Sequence, residues 1–158
     1  MEKTLTVLNE LERSGIIERY AIGGATALLF YMEPTLTYDL DVFCIFAAPS
    51  TAVLSLAPIY DFLRSRDYEP EGEHVLIEGI PVQFLAAHND LLIEAVEQAE
   101  QHQVSGVAAR VVRYEHLLAI MVQTGRSKDR ARLVQALDER PPDEEQLKEL
   151  RRIQAMMN

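Results

Sequence analysis

Two adjacent glycines, Gly23 and Gly24, interrupt an apolar segment near the start of this chain and constrain its fold more than any other feature. The apolar residues 20–22 before them predict a short strand, and residues 25–32 after them predict a helix. A second strand, rich in branched and aromatic side chains, is predicted at residues 39–46. A strand, a glycine turn, a helix and a second strand in this order predict an α/β unit with a mixed sheet.

The glycine pair also has a chemical use. Glycines let a phosphate group approach the backbone closely, and the start of a helix offers unpaired N–H groups and a favourable dipole. The same pair is consistent with a tight turn that only requires a positive φ. The glycine pair is stronger evidence for a phosphate-binding site when it is combined with the acidic motif that follows it along the chain.

That acidic motif is Tyr-Asp-Leu-Asp-Val at residues 38–42. Residues two apart in a strand point to the same face, so Asp39 and Asp41 should project together while Leu40 and Val42 face the core. Two neighbouring carboxylates repel each other, which raises the pKa of one of them unless a cation is bound. Mg²⁺ commonly uses one or two carboxylates together with substrate phosphates. The alternative interpretation is a pair of hydrated aspartates at the end of a strand.

Composition limits the remaining possibilities. A chain of 158 residues predicts one compact domain, and its net charge of −10 argues against broad DNA or RNA binding, which needs a basic face. The single cysteine, Cys44, excludes an internal disulfide; with no signal-peptide pattern, we expect a cytoplasmic location. No apolar run approaches the ~20 residues of a membrane span.

The other segments predict helices and a hairpin. Leu5, Leu8 and Leu11 recur at helical spacing, and Gly15 should end that helix. Further elements are predicted at 51–66 (helix, capped by Ser50), 73–77 and 80–85 (strands), 89–101 (helix, capped by Asn89), 107–112 (strand), and 115–124, 127–139 and 143–157 (helices). We therefore expect an α+β fold with a mixed β-sheet flanked by helices: residues 1–113 form the head, and residues 114–158 form a helical C-terminal tail packed on it.

The stretch YAIGGATALLFYMEPTLTYDLDVFCIF, residues 20–46, resembles the minimal nucleotidyltransferases of the polymerase-β-like superfamily, especially the AbiEii-type toxins of toxin–antitoxin pairs. Those proteins carry a Gly-Gly or Gly-Ser turn, a helix, and Asp-x-Asp on the next strand. A weaker resemblance extends to GIPVQFL and HLLAIMVQTGRSKDRARL. The resemblance implies the nucleotidyltransferase fold, an NTP substrate, and transfer of a nucleoside monophosphate with the help of one or two Mg²⁺ or Mn²⁺ ions.

Residue by residue, the resemblance assigns roles to five positions. Gly23 and Gly24 match the turn that holds the triphosphate, and Thr26 would lend a nearby hydroxyl. Asp39 and Asp41 match the carboxylates that hold the metal.

The position of the third carboxylate departs from the family pattern. The third carboxylate that the family often carries on a neighbouring strand is replaced here by Gln83. An amide cannot accept a proton from a hydroxyl and is a weaker metal ligand than a carboxylate. The protein would therefore use another base, such as Glu78 or Asp129, rely on one metal ion, or be inactive.

A basic cluster lies in Gly125-Arg-Ser-Lys-Asp-Arg130, which resembles the Lys-Asp element in the helical part of AbiEii-type proteins. Ser127 is the predicted N-cap of the helix that follows. Cations such as Lys128 are mildly unfavourable at the start of a helix, by ~0.3–1 kcal/mol each. A nearby anion would explain them, so Arg126, Lys128 and Asp129 are candidates for nucleotide binding. Surface pairing with the abundant acidic side chains is the alternative.

Other residues carry weaker predictions. Cys44 is expected to be buried in its strand, His88 to lie in a loop near the site, and His116 to lie on the surface of a helix. Leu147, Leu150, Ile153 and Met157 predict an apolar stripe that docks the last helix on the body.

Two functional hypotheses follow. The first is an enzyme that transfers a nucleoside monophosphate to an acceptor hydroxyl on a protein, an RNA end or a small molecule. The second is a protein of the same fold without turnover, which binds a nucleotide or a protein partner. A cognate antitoxin is the partner that the family resemblance suggests.

Overall fold

The computed structural model describes residues 1–32, 39–46 and 55–157. Within them the helices are α1 (Glu2–Arg13), α2 (Gly24–Leu28), α3 (Ala57–Ser65), α4 (Asp90–Glu97), α5 (Tyr114–Thr124), α6 (Ser127–Glu139) and α7 (Glu144–Met157). The strands are β1 (Arg19–Gly23), β2 (Leu40–Ile45), β3 (Pro70–Glu71), β4 (His74–Ile77), β5 (Ile80–Ala86), β6 (Glu100–Val104) and β7 (Val107–Val111).

The described strands form one mixed sheet in the order β3-β4-β5-β2-β1-β7-β6. At its centre, β2 pairs antiparallel with β1 and parallel with β5. One rung of this ladder sets Gly23 opposite Asp41, and Asp41 opposite Gln83. Adjacent strands lie about 4.8 Å apart, so the predicted glycine turn, acidic motif and Gln83 meet at one place in the sheet.

Helix α1 covers one part of the sheet with the leucines that the sequence pattern selected. Leu5, Leu8 and Leu11 are completely buried, and the Thr4 hydroxyl donates to the carbonyl of Ile77 at 3.0 Å. Full burial of each leucine stabilises the fold by roughly 1.5–3 kcal/mol before entropy is counted. The N-terminal segment is therefore anchored to the hairpin of β4 and β5.

The C-terminal helices lie against the head. Tyr114 on α5 is buried, and its hydroxyl donates to the carbonyls of Ala136 and Arg140 on the α6 side. Ile153 is completely buried and Leu150 packs against the core, as the predicted stripe on α7 requires, whereas Leu147 is 41% exposed. The stripe therefore docks α7 through its second half.

Two predictions about side chains are wrong. His116 is completely buried rather than on a helix surface, because its Nε2 lies 2.7 Å from the Glu94 carboxylate on α4. Ser127 is the first residue of α6, and the capping position belongs to Arg126 without a side-chain cap hydrogen bond. The predicted cap of α4 is confirmed, since Asn89 Oδ1 accepts from the Leu92 N–H at 2.9 Å.

The other differences concern where elements end. The helix predicted to reach residue 101 ends at Glu97, and Glu100 already belongs to β6. The helix predicted at 25–32 is regular only through Leu28 and then continues as tight turns. Ser50 and the first residues of the helix predicted at 51–66 lie outside the described residues. Among the described helices, none combines the length and the apolar character needed to cross a bilayer.

Candidate active site

A cavity of about 830 Å³ opens between the sheet and the C-terminal helices. Asp41 and Gln83 line it from the sheet, with Asp39 just before β2 and Gly24 at the start of α2, whereas α6 and the turn before it contribute Arg126 and Lys128. Cavities of this size commonly hold nucleotide-sized ligands. The structure thus gathers most of the predicted site residues, which are far apart in sequence, around one space.

The two aspartates of the acidic motif point into this cavity. Leu40 and Val42, which alternate with them, are completely buried on the other face of β2. Asp39 lies just before the strand with a side chain that is 54% exposed, and Asp41 is set deeper. The alternation of the strand therefore puts both carboxylates on the cavity side.

The electrostatic environment of Asp41 disfavours its ionised form. Burial raises the pKa of the Asp41 carboxyl above its ordinary value, and the charge of Asp39 raises it further. The positive charges of Lys128, Arg126 and Arg132 act in the opposite direction. A bound cation would remove this penalty, because it would attract both carboxylates at once.

Gly24 leaves the space in which the Asp41 carboxylate lies. Its φ is +61°, in the left-handed region that favours glycine, and a Cβ placed there would lie 2.2 Å from Asp41 Oδ2. A Cβ on Gly23 would lie 2.3 Å from the Phe43 ring, although φ there is −121°. Gly24 therefore lines the cavity, and Gly23 packs behind it against β2.

Thr26 connects α2 to the acidic motif. Its hydroxyl donates to the carbonyl of Asp39 at 2.7 Å, and the residue is only 7% exposed. Among the described residues that line the cavity, Thr26 is absent. This contact fixes the backbone that carries Asp39.

Two residues that sequence analysis missed lie beside the acidic motif. Glu73 and His74 line the cavity at the start of β4; Gln83 Nε2 donates to Glu73 Oε2 at 3.5 Å, and His74 Nε2 lies 3.5 Å from Asp39 Oδ2. The predicted hairpin could have indicated these two residues, because its turn pairs Ile77 with Ile80 and so brings the start of β4 beside Gln83.

The two acids named as substitutes for the missing carboxylate are differently placed. Glu78 lies in the turn of the hairpin, with φ +50°, and is absent from the described cavity lining. Asp129 lines the cavity, but its carboxylate accepts from Thr124 Oγ1 at 3.0 Å and from Arg126 Nε at 2.7 Å. Burial alone would raise the pKa of Asp129, and these hydrogen bonds reverse the direction and lower it.

Positive charge faces the aspartates from α6. Gly125, with φ +61°, ends α5 and turns the chain so that α6 begins beside the cavity. Arg126 and Arg132 each approach Asp129, at 2.7 and 3.9 Å, whereas Lys128 forms no ion pair within the described part of the chain. Ion pairs with Asp129 therefore account in part for the presence of the two arginines. Lys128 lines the cavity without such a pair.

The cavity has an apolar side and a polar rim. Leu92, Leu117 and Met121 contribute the apolar side from α4 and α5, and His88 also lines the cavity. At the rim, Asn89 Nδ2 donates to Gln123 Oε1 at 3.0 Å. A flat apolar ring with polar edges would fit such a surface.

The donor set fits a divalent cation bound together with phosphates. In the described ranges of the chain, no three or more His, Cys, Asp and Glu side chains are grouped to hold a metal ion by themselves. Asp39 and Asp41 supply two carboxylates, which is the usual protein share of a Mg²⁺ site whose other ligands are phosphate oxygens and water. Gln83 lies beside them as an uncharged neighbour.

Comparison with known proteins supports the fold. An antigenic nucleotidyltransferase-like protein from Paracoccidioides brasiliensis superposes with a TM-score of 0.57 at 15% identity, over 98% of this chain and 84% of that chain. A candidate nucleotidyltransferase from Thermotoga maritima gives 0.47 at 16% identity, over 86% and 93%. The antibiotic-resistance factor ANT(2'')-Ia gives 0.45 at 12% identity, over 100% and 86%.

Comparisons of sequence found no counterpart. No family model matches the chain, and no curated protein matches it. By its strand order and its superposition on the Paracoccidioides brasiliensis protein, the chain has the predicted α+β nucleotidyltransferase fold, a mixed sheet flanked by helices.

Proposed function

We propose that this protein is a metal-dependent nucleotidyltransferase that moves a nucleoside monophosphate from an NTP to an acceptor hydroxyl. One observation carries the proposal: Asp39 and Asp41 lie on one side of a nucleotide-sized cavity, and Lys128 and its basic neighbours lie on the other. Opposite charges so placed suit a triphosphate and its cation, because each side neutralises one part of the Mg²⁺–NTP complex.

The roles of the residues follow from this placement. Asp39 and Asp41 would hold the Mg²⁺, which when bound would polarise the α-phosphate and stabilise the leaving pyrophosphate. Lys128 and Arg126 would bind phosphate oxygens, and Gly24 would leave room for them beside Asp41. The apolar side of the cavity would take the base, with the Asn89–Gln123 pair at its edge.

The test is transfer of label from each of the four NTPs in the presence of Mg²⁺ or Mn²⁺, with and without cell extract as the source of the acceptor. Asp41→Asn should abolish transfer. Asp138→Asn, an exposed aspartate on α6, is the matched control and should transfer like the wild type. Equal transfer by Asp41→Asn and the wild type would contradict the assignment.

A second candidate is a protein that binds Mg²⁺–NTP without turning it over. Gln83 favours it, since an amide stands where the family often has a third carboxylate and lies directly opposite Asp41 in the sheet. Calorimetry separates the two candidates: binding that is lost in Asp41→Asn, together with no label transfer to any extract, would favour this one.

The acceptor and the biological context are also proposals. The net charge of −10 makes a protein hydroxyl or a small molecule a more favourable acceptor than an RNA end, because phosphates repel an acidic surface. The AbiEii-type resemblance suggests a cognate antitoxin as partner. A neighbouring reading frame that encodes a small DNA-binding protein, and co-purification of the two proteins, would support this context.

A further inference from the structure

The carboxylate of Glu73 lies in the part of the cavity where Gln83 replaces the third acid of the family pattern. Glu73 stands in the turn between β3 and β4 and lines the cavity with Asp39 and Asp41. The Gln83 amide, directly opposite Asp41 on the neighbouring strand, donates to Glu73 Oε2 at 3.5 Å. The Gln83 amide therefore lies between Asp41 and the carboxylate of Glu73.

The other acidic groups at this cavity have roles or partners already, since Asp39 and Asp41 are assigned to the cation in the proposed function. Asp129 accepts hydrogen bonds from Thr124 and Arg126, and Asp39 lies beside His74. Glu73 forms no ion pair with any residue in the described ranges, and its side chain reaches solvent. Within the described cavity lining, Glu73 is therefore the acid best placed to exchange a proton with an incoming hydroxyl.

The spacing of the acidic side chains indicates that Glu73 acts as a base rather than as a metal ligand. No set of three acidic or histidine side chains within the described residues is close enough to share a metal ion, so Glu73 does not complete a ligand triad with Asp39 and Asp41. A general base needs only to reach the hydroxyl that it deprotonates, directly or through one water molecule.

We propose that Glu73 is the general base of the transfer and that Gln83 is its positioning residue. This inference rests on the proposed nucleotidyltransferase function. The Glu73 carboxylate takes the proton of the acceptor hydroxyl while the acceptor oxygen forms a bond to the α-phosphorus of the NTP. The bond between that phosphorus and the oxygen bridging to the β-phosphate breaks, and pyrophosphate leaves with the electron pair.

The decisive experiment moves the carboxylate. Glu73→Gln should lower kcat by about 100-fold or more, since general bases contribute 10²–10⁴-fold, with Mg²⁺–NTP affinity by calorimetry within twofold of wild type. The double variant Glu73→Gln/Gln83→Glu returns a carboxylate to β5 and should recover at least tenfold of the lost kcat. Glu71→Gln, an exposed neighbour on β3, is the control and should match the wild type.

A chemical rescue separates a base from a structural role. Added formate should restore transfer by Glu73→Ala in proportion to its concentration and should leave the wild type unchanged. If the wild type transfers label and Glu73→Gln does so at the same kcat, the inference is overturned while the proposed function stands. If the wild type binds Mg²⁺–NTP and transfers nothing, the proposed function fails and this inference with it.

Discussion

Replacement of Gly24 by alanine tests whether the glycine turn exists to leave space for the Asp41 carboxylate. The new Cβ would lie 2.2 Å from Asp41 Oδ2 and 3.0 Å from its Cγ, so the carboxylate must turn away. The residue would also adopt φ +61°, which costs an L-residue roughly 1–2 kcal/mol. Two effects are therefore superimposed, a backbone strain and a displaced acidic side chain.

Gly15→Ala separates these two effects. Gly15 has φ +80°, but no atom lies within 4 Å of the position that a Cβ would occupy. Gly15→Ala should lose about 1–2 kcal/mol of the free energy of unfolding, and Gly24→Ala at least as much, because the Asp41 carboxylate can rotate away but Asp41 Cβ, 3.1 Å from the new atom, cannot. In a chain of this size, that corresponds to a Tm lowered by roughly 2–8 °C.

Ligand binding should distinguish the variants. In calorimetry with Mg²⁺ and the NTP that binds the wild type best, Gly24→Ala should weaken binding at least tenfold, which is ~1.4 kcal/mol. Gly15→Ala should bind like the wild type. If Gly24→Ala binds with wild-type affinity, the space beside Asp41 is not needed for the ligand, and the reasoning from the Cβ position is refuted.

Two further predictions concern charges. In the absence of divalent cations, Asp41→Asn should be more stable than the wild type at pH 7. The folded state raises the pKa of Asp41, so the wild type loses stability as pH rises from near 3.8 through the folded pKa. Asparagine does not ionise and therefore avoids that loss. Thermal melts from pH 7 to pH 4 should show the difference shrinking, and a variant less stable at pH 7 would contradict the assignment. Arg152→Ala removes the bonds that the guanidinium donates to Glu94, at 3.0 and 2.7 Å, and to Glu149, at 3.1 and 2.6 Å, and should lower the free energy of unfolding by about 1 kcal/mol because the arginine is partly exposed. The control is Arg151→Ala, since Arg151 is exposed and has no ion pair in the described chain. Its melting temperature by calorimetry should equal that of the wild type. An equal loss of stability in both variants would refute the role of the Arg152 ion pairs.

The sequence predicted the centre of the fold because its signals there are local. Glycines in a turn, alternation along β2 and the hairpin at residues 78–79 depend on neighbours within a few residues, and the structure pairs these strands as their patterns require. The nucleotidyltransferase fold was predicted from these elements together with the family resemblance. The helices of the C-terminal part were predicted within a few residues for the same reason.

The errors concern residues whose surroundings depend on tertiary contacts or on strand register. The burial of His116 was missed because the carboxylate that pairs with its ring, Glu94, belongs to another helix. The first residues of β6, Glu100 and Gln101, are polar and were predicted as the end of a helix, although they pair with β7. Glu73 was missed because its place at the cavity depends on the register between β4 and β5 rather than on a motif.

The rung that joins Gly23, Asp41 and Gln83 makes the spacing of the candidate site a property of the main chain. Its spacing is set by main-chain hydrogen bonds between three strands, which every amino acid except proline can make. Most side chains elsewhere can therefore be exchanged without changing the distances between these three positions. The spacing of the candidate site is therefore a property of the strand pairing and does not depend on which side chains surround it.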